Sequence, residues 1–399
     1  MALQLSKRMS GAAAWILPLA VVAFPPRATG QEPQADLSQV PGSVVHHAPA
    51  SNKVYIGSPS LVQLDDGTLL AKCDEFGPGS TEHTSAVTHV FRSTDAGATW
   101  KRISTIEGLF WSNLFEHRGR LYQIGTTHHH GNLVALASDD GGATWTRPAK
   151  PTTGLLREGA YHTAPMPMLK HEGRLWRAVE DAGGGDKWGI RYRPLIMSIP
   201  LDGNLLDAGA WELTPYLAGD TAWLEGKFGG WLEGNALVGR DGEIVNLLRV
   251  EVPQGGVAAL LRFRDARSPL EFDPASGFIA MPGGAKKFTV RFDPVSKRYW
   301  SLVNDVPPNH GQRRASTVRN RLSLASSADL REWRIERKLI EHPDTKRHGF
   351  QYPDWIFAGD DILALVRTAH DDGLGGAHSA HDANLLTFHV VTDFRGRAE

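Results

Sequence analysis

Apolar and polar positions alternate along this chain in short runs, broken by turns rich in glycine and aspartate. Six segments share one form: "PSLVQLDDGTLLAKCD", "LFEHRGRLYQIGT", "PMLKHEGRLWRAVED", "NALVGRDGEIVNLLRV", "TVRFDPVSKRYWSLVN" and "DWIFAGDDILALVRTA". Each reads as an alternating strand, a polar turn and a second alternating strand. No long run has helical periodicity, so the pattern predicts an all-β protein of antiparallel hairpins.

One turn is written twice. "STDAGATW" at 93–100 and "SDDGGATW" at 138–145 each sit between strand-like runs, 45 residues apart, and "SSADLREW" at 326–333 is a worn third copy. A short Asp side chain can accept from the amides of its own turn, Gly97 or Gly142 can take a positive φ, and the following Trp can lie over the turn. A four-stranded sheet recurring at this interval predicts a β-propeller, and the length allows about six to eight blades.

Composition narrows the reading. The 399 residues include 43 basic and 44 acidic side chains, a formal net charge of −1, which excludes the electrostatic footprint of a nucleic-acid binder. Lys7 and Arg8, the apolar stretch 12–24 and the small residues Ala28 and Gly30 fit a secretory signal ending near residue 30. The expected organisation is therefore a removed signal (1–30), a lead-in (31–52) and one propeller domain (53–399). The protein is expected to be exported, with no membrane attachment once the signal is gone. Cys73 is the single cysteine, so the core must hold the fold without an intrachain disulfide.

Candidate chemistry lies in polar, glycine-rich connections. His46 and His47 precede the first strand, and Glu82 with His83 sits on a loop. His129 lies within the triplet 128–130, Tyr161 adjoins His162, and His381 follows His378. In "FGGWLEGNA" an extended backbone would put Trp231, Glu233 and Asn235 on one face, suited to stacking on a sugar and bonding its hydroxyls. Lys287 and Arg291 alternate onto one side of "KKFTVRFD" and could clamp an anion. Glu180 and Asp181 could form a carboxylate pair. No ligand spacing is diagnostic of a transition metal. No cofactor is called for, although calcium held by carbonyls and carboxylates is compatible with the sequence.

The doubled turn resembles the Asp-box of the sialidase-like propeller superfamily. A sialidase requires an arginine cluster, a Tyr–Glu nucleophile pair and an Asp acid. Its first arginine would fall at "YIGSPS", which has none, while Arg249, Arg291 and Arg367 on strands could supply part of a clamp. The segments "GPGSTEH", "FWSNLF", "HHHGN", "YHTAP", "FGGWLEGNA", "GGAKKFTVRFDP" and "HDANLLTFH" in this order resemble a narrower family. These are secreted propeller enzymes acting on L-rhamnose-α-1,4-D-glucuronate, described as rhamnosidases or lyases. That resemblance implies seven blades, with six as the alternative, a glycan substrate, and a catalytic histidine near the propeller's start, at His47 or His46. Uronate chemistry then suggests His47 or His83 as base, Tyr161 or His162 as proton donor, and Lys287 with Arg291 on the carboxylate. His46, Glu82, His129, Trp231, Glu233, Asn235 and His381 complete the expected sugar-binding set. An exo-sialidase and a non-catalytic glycan-binding propeller are the competing expectations.

Overall fold

The computed structural model describes residues 34–307 and 313–396, so the expected signal segment lies outside the described residues. The strands of the described residues form six sheets, each one blade of a propeller. The innermost strands begin at Tyr55, Phe110, Tyr161, Trp231, Thr289 and Gly349. Five blades have four antiparallel strands. In the third, the inner strand is interrupted, and Tyr161–His162 and Leu169–His171 pair separately with Arg174–Asp181.

Six blades, not the favoured seven, correct the expectation. The six alternating hairpins found in the sequence are the first two strands of the six blades. The 45-residue interval between the turns joins two compact neighbours, whereas the third blade adds long connections around 201–230. Those connections consume the length that a seventh blade would need.

The ring closes between the two ends of the described chain. Ser43–His47 pairs antiparallel with Leu385–Val391 and becomes the outermost strand of the sixth blade, with His47 opposite Leu385. Between blades, apolar side chains alternate inward as a period of two demands. Leu365, Leu386 and Phe388 of the sixth blade pack with Ile56, Leu69 and Phe91 of the first.

The repeated turns staple the outer hairpins as their composition suggests. Asp95 accepts from the Thr99 amide (3.0 Å) and from the Ser93 and Thr99 hydroxyls, while Ser93 accepts from Gly97 N–H (2.9 Å). Asp140 repeats this network with Ser138 and Thr144. Trp100 and Trp145 each donate their indole N–H back to the turn glycine's carbonyl. In the third copy Leu330 occupies the glycine position at φ 66°, and Trp333 still donates to its carbonyl.

Gly97 has φ 89°, and a Cβ there would stand 2.1 Å from Cε1 of Phe388 on the sixth blade. Gly97→Ala should therefore destabilise the protein by roughly 2–4 kcal/mol, combining left-handed strain with overpacking. Gly67 has φ 84° but nothing within 4 Å of its added Cβ, and Gly67→Ala should cost only about 1 kcal/mol. Urea unfolding of both variants checks the contrast. Equal midpoints would show that the Phe388 contact contributes nothing.

Candidate functional site

Four inner strands carry a bulge near their beginnings, where register shifts between Gly57 and Ser60, Phe110 and Asn113, Leu232 and Asn235, and Gln351 and Asp354. Within each, one non-glycine residue is left-handed: Ser58 (φ 44°), Trp111 (50°), Glu233 (59°) and Tyr352 (54°). Such conformations cost of order 1–3 kcal/mol and re-aim a side chain out of the strand's alternation. All four residues line one cavity of about 560 Å³ at the end of the propeller where the inner strands start.

At three of the four bulges the residue two places beyond the left-handed one secures it. Ser60 accepts from Leu114 N–H (3.0 Å) and donates to Asp354 (2.9 Å), which also accepts from Leu61 N–H. Asn235 accepts from Val290 N–H (2.9 Å) and donates to the Phe288 carbonyl. Blade is thus tied to blade by buried polar groups. Beneath Trp111, Asp74 accepts the indole residue's backbone N–H (2.8 Å), the Thr88 hydroxyl and Lys72 Nζ (2.7 Å). Burial pushes the Asp74 carboxyl up and the Lys72 ammonium down, and each opposes the other's shift.

At the centre of the cavity Tyr352 Oη donates to Glu233 Oε1 at 2.9 Å. Arg249 donates to Glu233 Oε2 at 2.8 Å and stands 3.4 Å from the phenol oxygen. Arg319 and Arg367 lie 5.9 and 5.0 Å from the Tyr352 ring centroid. Arg319 donates to Gln351 (2.6 Å), and Arg367 to the His381 carbonyl. All three arginines are at least 95% buried. Burial would raise the Glu233 carboxyl, but Arg249 and then His162 hold it below the ordinary range. Burial, then the charge on Glu233, pushes the Tyr352 phenol up, so it keeps its proton. Burial lowers Arg319 to about 10, with Arg249 and Arg367 adding to the effect, and lowers Arg367 to about 10.

Around this centre stand His162, Trp111 and Tyr192, with His162 4.3 Å from Trp111 and 4.4 Å from Tyr192, ring to ring. Nδ1 of His162 is 2.8 Å from the buried Glu180 carboxylate. Glu82 and His129 form another wall. Burial raises the Glu82 carboxyl and lowers His129 to about 3, so His129 is neutral. Arg313 and Lys346 bring the lining cations to five, against two lining carboxylates, Glu82 and Glu233, so the cavity favours an anion. Glu82, His83 and His129 also offer ligand atoms within 4.8 Å of one another, a set able to hold a metal ion.

Of the residues expected from sequence, Glu82, His129, His162, Glu233 and His381 line the cavity. His83 is exposed at its rim, 3.1 Å from Glu82. The others lie elsewhere. His47 and His46 belong to the outermost strand of the sixth blade, where His47 pairs with Asp372 (2.9 Å) and His46 packs between His89 and Phe91. Tyr161 alternates away from His162 and packs between blades. Trp231 is fully buried among Trp223, Phe228 and Phe272, so it presents no stacking face. Asn235 spends its amide on the blade tie.

Lys287 and Arg291 do not face the cavity together as a clamp. Lys287 is buried and donates to Thr289 Oγ1 (2.6 Å) and the Pro353 carbonyl (2.7 Å), while Arg291 donates to the Trp355 carbonyl and stands 3.7 Å from Asp354. The arginine group is instead Arg249, Arg319 and Arg367, two of which sequence reading had placed on strands. Tyr352, Arg319 and Trp111 were missed. The signal for Tyr352 and Trp111 is the fourfold recurrence "GSPS", "FWSN", "LEGN", "QYPD" at the start of inner strands; Arg319 has none.

No protein-family model matches the sequence, and no curated protein matches it. Solved structures do share the fold. The α-L-arabinanase of Penicillium chrysogenum, complexed with arabinobiose, is 14% identical with a TM-score of 0.53, covering 92% of this chain and 100% of its own. The α-L-arabinofuranosidase of Fusarium graminearum is 13% identical (TM-score 0.55; 88% of this chain, 97% of that one). A Trypanosoma rangeli sialidase in complex with sialic acid is 16% identical (TM-score 0.53; 84% and 54%). The likeness is one of fold: these structures share the propeller architecture.

Proposed function

We propose that the protein is a glycosidase that removes a terminal, carboxylate-bearing sugar from a glycan. The observation that carries the reading is the Tyr352–Glu233 hydrogen bond of 2.9 Å amid three buried arginines. A carboxylate nucleophile would be repelled by a carboxylate next to the anomeric carbon, whereas a neutral phenol is not; sialidases use tyrosine in this role. Arg249, Arg319 and Arg367 would hold the substrate carboxylate. Tyr352 Oη attacks the anomeric carbon while its proton passes to Glu233. Glu82, its carboxyl kept protonated longer by burial, gives a proton to the departing glycosidic oxygen. Water then attacks the tyrosyl–sugar bond. It yields one proton to Glu82 and keeps the other on the new hydroxyl, while Glu233 returns to the phenolate the proton it took from Tyr352. The glycan-bound folds of the arabinanase and sialidase neighbours support a sugar ligand.

A second reading keeps the rhamnosyl-glucuronate substrate. It draws on neutral His129 and on His162, which stand in the same cationic cavity and could serve as base once the arginines neutralise a uronate. Incubation with an aryl sialoside and, in parallel, with a rhamnose-capped glucuronate oligosaccharide separates the two. Release of the aryl group supports the first reading. Rhamnose release, with or without new absorbance from an unsaturated uronate, supports the second. Binding of either compound without cleavage would leave a lectin-like propeller and sink both.

A further inference from the structure

Three histidines outside the cavity lining meet between the fifth and sixth blades. His342 follows the outer strand Trp333–Glu341, His348 precedes the inner strand Gly349–Ala358, and His370 follows Asp361–Ala369. Their ligand atoms lie within 4.8 Å of one another. The rings of His342 and His348 stack at 3.5 Å, and His370 stands edge-on to His348 at 4.8 Å. Three imidazoles so close would repel one another if protonated.

The hydrogen bonds select which nitrogens are bare. His348 Nδ1 is 3.3 Å from the Asp344 carboxylate, and His370 Nδ1 is 3.2 Å from the Asp371 carbonyl. Oxygen acceptors at Nδ1 keep the proton there and leave the Nε2 lone pairs free, the arrangement metal-ligating histidines adopt. His348 is 97% buried, and among the described residues its Nε2 has no hydrogen-bond partner, although the Asp371 carboxylate stands 3.5 Å away. The backbone already fixes the cluster: His342 N–H donates to the Asn320 carbonyl (3.0 Å), and Asn384 brackets His370 through both N–H and C=O.

We propose that His342, His348 and His370 bind one divalent transition-metal ion of the zinc class, with the exposed Asp371 carboxylate as fourth ligand. A tetrahedral ion needs nitrogens about 3.3 Å apart, given metal–nitrogen bonds of about 2.0–2.1 Å, which side-chain rotation supplies here. His342 Nδ1 now accepts the Asp344 N–H (3.1 Å), a bond it gives up on ligation. Imidazole and carboxylate together suit zinc, copper or nickel above calcium. Arg347, the neighbouring cation, is turned aside onto the Gly375 and Ala377 carbonyls.

The ion would brace the cavity from outside. The segment 342–348 carries Lys346, and 370–384 carries Ser379, Ala380 and His381, all of which line the cavity. The two segments are already joined by the Ala380 N–H to Lys346 carbonyl bond (2.6 Å). A metal shared by His342, His348 and His370 adds a further tie to this bond and to those of Arg347.

Chelator-stripped protein titrated with Zn²⁺ by calorimetry, and with Co²⁺ by visible absorption, tests the site. Expected are one ion per chain with micromolar or tighter affinity, a tetrahedral Co²⁺ band, and a thermal midpoint that rises with Zn²⁺. His370→Gln and His342→Gln should each weaken binding at least about tenfold, and His83→Gln should leave it unchanged. If His370→Gln does not fold, the half-buried His342 variant decides. Absence of saturable binding overturns the proposal, as does binding that His83→Gln abolishes and His342→Gln spares.

Discussion

Tyr352→Phe is expected to lower kcat on a carboxylated aryl glycoside by at least roughly 10³-fold, with the thermal midpoint unchanged. The substitution removes one oxygen whose hydrogen-bond partners among the described residues are Glu233 and Arg249, and the ring keeps its place beside Arg319 and Arg367. Substrate affinity should change little, because the arginines that grip the carboxylate remain. Glu233→Gln would be less clean, since it also leaves Arg249 without its closest counter-charge. Steady-state kinetics with aryl leaving groups check the result. If Tyr352→Phe retained full activity, the phenol would have no part in bond cleavage, and the histidines facing it would become the bases to test.

The largest expected effect on stability belongs to Asp74→Ala, at about 3–5 kcal/mol. Lys72 and Asp74 are both wholly buried, and their attraction offsets the desolvation of each. Deleting the carboxylate strands an ammonium in the core and releases the Trp111 amide. Replacing both partners by apolar residues, Lys72→Met with Asp74→Leu, should recover much of that loss. Urea unfolding of the single and double variants measures it. A single variant within 1 kcal/mol of the parent would mean that the bulge at Trp111 is held by its blade alone.

Strand content and hairpin order were readable because they rest on local rules. Alternation fixes which side of each strand is buried, and the Ser–Asp–Gly–Thr–Trp turns satisfy their own amides. The blade number was equally present in the six hairpins. The family resemblance obscured it, as did an interval measured between two compact blades. The cavity was half legible. Glu82, His129, His162, Glu233 and His381 stand in conspicuous polar segments, and the structure brings them together. Tyr352 was hidden by ordinary strand surroundings, because sequence alone does not show which strand residue a bulge turns outward, and Arg319 by its place in a connection that carries no motif. Lys287 and Arg291 misled for the converse reason: alternation put them on one side, and that side faces blade carbonyls. His46 and His47 were drawn away by ring closure, which moves the chain's first strand to the rim.

That closure also governs the order of assembly. Five blades complete themselves from neighbouring segments, whereas the sixth needs Ser43–His47 to meet Leu385–Val391, which is made only after the other five blades. Bringing such distant segments together is entropically slow. The nascent chain must therefore keep Ser43–His47 unpaired until the sixth blade is made, and the Leu385–Val391 edge, once made, stays exposed until that strand returns to cover it. The latch that locks the finished molecule is thus also its most exposed point to misassembly, and any chaperone acting on this chain would have most to shield at that edge.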